Sequence, residues 1–309
     1  MSTYNLDPAL AAHVAENERF IAETQALSDR RDAFAQACIY FTPKRPEGIV
    51  VEAREVSGVS IRTYLPRSIT PVNGWPAVLY FHGGGWTVGS HQTHDWFAYA
   101  LIRRIDVAIV AVDYRLTPEH PFPAPLEDGL KVWLALKRGD FPSLDCQRLC
   151  VAGDSAGGAL AAGLCVALKA QGEAQPVCQA LAYPVLTDDP ALPSVQAHAN
   201  APMLTAAELD AALEAYVPTA KLRNDPRALA LKNSDPAGLA PAFIGVAEFD
   251  PLFDHGVEYA ERLRLAGVPS DLHIGQGLVH GSLRASGVSE VERFYDALAG
   301  FISRSQERA

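Results

Sequence analysis

Gly153-Asp154-Ser155-Ala156-Gly157 stands between an apolar run ending at Ala152 and a stretch rich in alanine and leucine, Ala156 to Ala170. The G-x-S-x-G spacing, set between a strand and a helix, puts a serine on a tight turn where its hydroxyl faces outward and the flanking glycines let other backbone approach. Such a serine suits nucleophilic attack on an acyl carbon. A bare glycine turn carries the same letters, so the reading depends on the base, carboxylate and oxyanion donors that accompany it. The following helix already favours negative charge beside the Ala156 N–H.

Donors are supplied by His82-Gly83-Gly84-Gly85-Trp86, directly after the apolar run Ala77 to Phe81. Successive glycines leave their N–H groups unshielded, and Gly83 and Gly84 together with Ala156 are expected to form a three-donor oxyanion hole. No Gly-Lys-Ser or Gly-Lys-Thr follows, which argues against a phosphate loop. Nine histidines compete for the base. In strand-turn-helix hydrolases the order is serine, acid, histidine, so His13, His82, His91, His94 and His120 fall on the wrong side of Ser155. Of the remaining His198, His255, His273 and His280, His198 lies in a proline-bearing insertion and His273 within the last apolar run. His280, in a glycine-rich loop just beyond that run, is the predicted base.

Asp250 follows the apolar run Phe243 to Ala247 and precedes Pro251, where it can hold the imidazole tautomer. Its rivals are Glu248, expected to point off the strand, and Asp254, expected to cap the next helix. In the cluster His91, His94 and Asp95 the two histidines, three apart, share a helix face, but no glutamate-bearing zinc signature accompanies them, so no metal is expected. Trp86 and Tyr183 are candidates to line a substrate pocket, and core packing explains them equally well.

The elements that must position these residues form an α/β pattern. Val51 to Val56 and Val59 to Leu65 alternate about Ser57-Gly58 and read as a hairpin. Ala77 to Phe81, Val107 to Val112, Leu149 to Ala152, Ala180 to Val185, Phe243 to Ala247 and Leu272 to Ile274 are short apolar runs suited to strands buried on both faces. Helical stretches separate them near Trp96 to Arg104, Leu126 to Lys137, Ala156 to Ala170, Val257 to Leu265 and Val288 to Ile302. About eight mostly parallel strands flanked by helices are predicted. Asp7-Pro8 opens an N-terminal helix with Leu10, Val14 and Ile21 at helical spacing. Residues 188–235 break the rhythm and contain a helix from Thr205 to Tyr216 with the capping box Thr205-x-x-Glu208.

A formal charge of -10 disfavours nucleic acid and anionic membrane as partners and suits a small neutral or weakly charged substrate. Five cysteines without a C-x-x-C pair do not suit a disulfide framework, and reduced thiols in the cytoplasm are expected. The first thirty or so residues lack the apolar core of a secretory signal, and no apolar run approaches a membrane span. A homodimer is compatible with the sequence but not indicated by it.

Taken together, His82-Gly83-Gly84-Gly85, Asp113-Tyr114-Arg115-Leu116-Thr117-Pro118-Glu119-His120-Pro121-Phe122-Pro123-Ala124, Gly153-Asp154-Ser155-Ala156-Gly157-Gly158, Asp250-Pro251-Leu252 and His280-Gly281 resemble, in order, the bacterial hormone-sensitive-lipase-like esterases of the α/β-hydrolase superfamily. The likeness covers about residues 45 to 305. It implies a serine carboxylesterase acting on short acyl esters without metal or organic cofactor, with Gly83, Gly84 and Ala156 as oxyanion hole. It also implies a catalytic domain over 46–187 and 236–309, capped by N-terminal helices within 1–45 and by the 188–235 insertion. Ser282 stands where the family usually has phenylalanine, His255 where it has glutamate and Thr117 where alanine is common, and the first change is expected to widen or polarise the pocket near the base. The alternatives are an amide hydrolase of arylformamidase type, which would turn over a formyl anilide, and a non-catalytic receptor on the same fold, which the presence of His280 disfavours.

Overall fold

Ser57 and Gly58 both take positive φ, 53° and 78°, as a two-residue hairpin turn of the right twist requires, and they join β1 (Val50–Val56) to β2 (Val59–Leu65). The computed structural model describes residues 4–24, 26–66 and 69–308; residues 1–3 and 25 of the expected N-terminal segment lie outside that set. Six further strands follow: β3 (Trp75–Phe81), β4 (Ala108–Val112), β5 (Leu144–Asp154), β6 (Gln179–Ala182), β7 (Ala242–Phe249) and β8 (Ser270–Val279). They form one sheet in the order β1-β2-β4-β3-β5-β6-β7-β8, antiparallel on both sides of β2 and parallel elsewhere.

Alternation along each central strand feeds a core on either face of the sheet. From β3, Ala77, Leu79 and Phe81 enter one core with α4 (Ala124–Arg138), α5 (Ala156–Gln171) and α9 (Phe253–Leu265), while Val78 and Tyr80 enter the other with α3 (Asp95–Ile102) and α10 (Ser289–Glu307). Both faces are covered, which is why these strands read as unbroken apolar runs. Every residue of α5 from Ala156 to Leu168 is buried, and its alanines and glycines allow that close packing.

Two stretches lie outside this repeat. The N-terminal one contains α1 (Pro8–Asn17) and α2 (Leu27–Phe41); the 188–235 stretch contains α6 (Pro193–Ala197), α7 (Ala206–Tyr216) and α8 (Ala220–Arg223). Asp7 accepts from Ala9 N at 2.8 Å at the start of α1, and both arms of the Thr205–Glu208 capping box are present. Ile21 does not belong to α1: the helix ends at Asn17 and Ile21 is 74% exposed. Helix α2, not singled out from its weak apolar periodicity, is fastened by Arg31, whose guanidinium donates to both carboxylate oxygens of Glu119 at 2.8 Å and to the Thr87 and Thr117 carbonyls. Strand β8 runs through Gly275-Gln276-Gly277 to Val279, beyond its short apolar run, with a bulge in its register against β7.

Candidate active site

Strands β3 and β5 are neighbours, as are β7 and β8, so four segments meet at the carboxyl edge of the sheet. They are the glycine loop after β3, Ser155 after β5, Asp250 after β7 and His280 after β8. Ser155 takes φ 55° and ψ -120°, backbone angles that cost a non-glycine residue of order 1–3 kcal/mol and persist only where the surroundings dictate them. The flanking glycines show why. A Cβ on Gly157 would stand 2.0 Å from the Phe81 carbonyl oxygen, and one on Gly153 would stand 2.2 Å from the carbonyl oxygen of Gly157.

His280 Nε2 lies 2.8 Å from Ser155 Oγ, and His280 Nδ1 lies 2.7 Å from Asp250 Oδ2. The carboxylate accepts the Nδ1 proton, which leaves the Nε2 lone pair facing the serine hydroxyl. Asp250 is fully buried, and its other oxygen accepts from Leu252 N at 2.8 Å. Glu248 instead accepts from Gly277 N at 2.6 Å. Asp254 does not cap its own helix: its carboxylate accepts from Ser194 N at 2.7 Å and its N–H donates to Ser194 Oγ at 3.1 Å, which joins α9 to α6.

The glycine loop requires one correction. The Gly83 N–H, expected in the oxyanion hole, donates to Asp154 Oδ1 at 2.9 Å. It is committed to the interior, and a Cβ there would meet Asp154 Oδ2 at 2.4 Å. Tyr114 OH holds the other end of the same peptide by donating to the His82 carbonyl at 2.7 Å, and His82 Nδ1–H donates to the Gly83 carbonyl of the next peptide at 2.8 Å. Burial, aided by His94, holds the His82 pKa down to about 3, so the ring is neutral. Asp154 is buried too, yet contacts with His94 and the Tyr80 hydroxyl hold its carboxyl below the usual range. Beyond this anchor, Gly84 and Gly85 line the cavity, and their N–H groups and that of Ala156 find no acceptor among the described residues.

That cavity, of about 480 Å³, contains Ser155 and His280. Its walls come from the glycine loop, from α2 through Leu27 and Phe34, and from the 188–235 stretch through Met203, Leu204, Leu209 and Ala212. Trp86 and Tyr183 line it while being almost wholly buried. Trp86 stacks on Tyr216 with centroids 4.0 Å apart, and the Tyr183 ring stands 4.7 Å from that of His280.

Each of the three residues that depart from the resembled pattern has a partner of its own. Ser282 does not line the cavity: it is 1% exposed, and its hydroxyl turns back onto the N–H and carbonyl of Val279. His255 accepts from Leu186 N at 3.1 Å, and burial lowers its pKa to about 4. The Thr117 hydroxyl meets that of Thr87 at 2.9 Å. Of the residues weighed as metal ligands, His94 Nδ1 meets Thr93 Oγ1 at 2.8 Å, His91 pairs with Asp113 and Asp95 accepts from Tyr64 and Tyr99. Asp154, Tyr80, Phe34 and Arg284 were not flagged in the sequence; the signal for Asp154 was its place inside the serine motif.

Strand order, a strained serine turn and a serine–histidine–aspartate relay at one sheet edge define the architecture of a serine hydrolase. Residues 78–284 match the family described as alpha/beta hydrolase fold. Esterase LipI of Mycobacterium tuberculosis (strain ATCC 25618 / H37Rv) is 39% identical over 252 residues, which span 80% of this chain and 78% of that protein. An ethyl acetate hydrolase of Pseudomonas putida is 38% identical over 239 residues, 77% of this chain and 75% of that one. The crystal structure of a thermostable esterase from Pseudomonas putida ECU1011 superposes with a TM-score of 0.91 at 25% identity, covering 99% of this chain and 98% of its own. The chain belongs to the alpha/beta hydrolase fold family, in its hormone-sensitive-lipase-like branch.

Proposed function

We propose that this chain hydrolyses short-chain carboxylic esters through an acyl-enzyme on Ser155. One observation carries the mechanism: the serine hydroxyl, within hydrogen-bond reach of a histidine that is itself held by a buried aspartate, opens into a cavity beside amide N–H groups without acceptors among the described residues. As Ser155 Oγ attacks the ester carbonyl, His280 Nε2 takes its proton, and Asp250 stabilises the imidazolium. The carbonyl oxygen becomes negative in reach of Gly84, Gly85 and Ala156 N–H, the donor set that the anchoring of Gly83 leaves. Deleting one such donor elsewhere costs roughly 2.7–4 kcal/mol. Collapse returns the proton to the leaving alcohol, and water repeats the sequence on the acyl group.

The N-terminal helices and the 188–235 stretch act as a cap, since both supply cavity walls. Free thiols at all five cysteines, including Cys150 and Cys178 with sulfurs 3.2 Å apart, favour a reducing compartment such as the cytoplasm. No helix among the described residues is long and apolar enough to cross a membrane. The test is Ser155→Ala: kcat for p-nitrophenyl butyrate falls by about 10⁵- to 10⁶-fold with the fold intact, and labelling by an organophosphate is lost with it. Retention of more than a tenth of the rate refutes the assignment.

A further inference from the structure

Two arginines line the cavity of the proposed esterase site, the exposed Arg30 and the half-buried Arg284, and among the described residues Arg284 has no counter-charge. Arg284 lies four residues beyond the base, half-buried, and lines the cavity with Ser155 and His280. Its Nη1 contacts Cys38 Sγ at 3.4 Å and its Nη2 contacts Asn17 Oδ1 at 3.3 Å, while its guanidinium carbon stands 5.7 Å from the Phe34 ring centroid and 6.0 Å from that of Phe41. Burial raises the Cys38 pKa, so that partner is a neutral thiol. Among the described residues no carboxylate pairs with Arg284, whereas arginines such as Arg31, Arg104, Arg115 and Arg223 each hold one.

A guanidinium presents five donors in a planar fork matched to a carboxylate. Two long contacts to neutral atoms leave most of that capacity unused, and a partly desolvated charge without a partner is costly. The cavity's own carboxylates do not relieve it: Asp154 is engaged by Tyr80 and Gly83, and Glu208 by Thr205. Position then decides which part of a substrate Arg284 meets. Its Nη2 stands 3.9 Å from where a Cβ on Gly281 would lie, next to the base. The base must hand its proton to the leaving oxygen, so the alcohol part lies on the His280 side, away from the glycine loop.

We infer that this site takes esters whose alcohol part carries a carboxylate, and that Arg284 is the specificity-determining residue that binds it. The inference rests on the ester-hydrolase reading above. The probes are 4-acetoxybenzoate and its uncharged methyl ester, each scored by kcat/KM, with p-nitrophenyl acetate as a control for esterase action.

Arg284→Gln lowers the anionic-to-neutral ratio of kcat/KM at least ten-fold, and Arg284→Lys restores part of it. Because Arg284 also touches α1 and α2, the wild-type enzyme supplies an independent arm: its ratio falls as sodium chloride rises from 20 to 500 mM, as screening of the pairing requires. A ratio unmoved by Arg284→Gln, a ratio indifferent to salt, or refusal of 4-acetoxybenzoate by an enzyme that turns over p-nitrophenyl acetate overturns the inference. Failure on all three substrates would instead sink the esterase reading itself.

Discussion

Replacing Asp250 with asparagine tests the relay with almost no change in shape. One Asp250 oxygen accepts from Leu252 N at 2.8 Å and the other from His280 Nδ1 at 2.7 Å. An amide has one acceptor and one donor end. If its NH₂ group faced Leu252, two donors would meet in a fully buried site, so the amide oxygen keeps Leu252 and the NH₂ turns to His280. Nδ1 must then accept, and the imidazole proton moves to Nε2, facing Ser155 Oγ. A base in that tautomer cannot take the serine proton. The equivalent change in another serine hydrolase lowers kcat about 10⁴-fold, which is about 5 kcal/mol of transition-state stabilisation. Initial rates on p-nitrophenyl butyrate measure the loss, with KM within about three-fold of wild type because the cavity is untouched, and a thermal melt reports the fold. A folded Asp250→Asn enzyme that keeps more than a tenth of wild-type kcat at pH 7.5 refutes the tautomer argument.

Two further outcomes concern stability. His13 and His255 have their pKa lowered to about 4 and His82 to about 3, burial being the largest cause in each. Between those values and the usual 6.5 the unfolded chain binds more protons, so stability is complete above pH 6.5 and is lost as pH falls toward 4. At pH 5 His255 alone accounts for roughly 2 kcal/mol, and urea midpoints at pH 7.5 and 5 that coincide would contradict this. Gly157→Ala drives a methyl group against the carbonyl oxygens of Phe81, at 2.0 Å, and His82, at 2.6 Å. Because both obstacles are backbone, a loss of about 3 kcal/mol and a lower kcat are expected, and a melting temperature within a degree of wild type would show that the turn can yield.

The serine turn, His280 and Asp250 were legible because each is marked locally, by glycines around a strand end, by an apolar run just before it and by order along the chain. The parallel sheet was legible for the same reason, since burial on both faces leaves unbroken apolar runs. Strand β8 reads short in the sequence because Gly275-Gln276-Gly277 interrupts its apolar run before the buried Leu278 and Val279, and an edge strand half open to water needs no continuous apolar pattern. The second N-terminal helix is implied by the resemblance alone and not by periodicity, because what fastens it is an arginine reaching Glu119, not an apolar stripe.

Sequence alone determined that Ser155, Asp250 and His280 would meet at the carboxyl edge of an α/β sheet, because turn chemistry and periodicity act over a few residues. Only the tertiary structure decided which glycine N–H is spent on Asp154, where Ser282 points and that Arg284 stands beside His280 with no carboxylate partner among the described residues. Those outcomes depend on hydrogen bonds and charges between segments remote in sequence, such as Gly83 and Asp154, 71 positions apart, whose encounter no local pattern encodes.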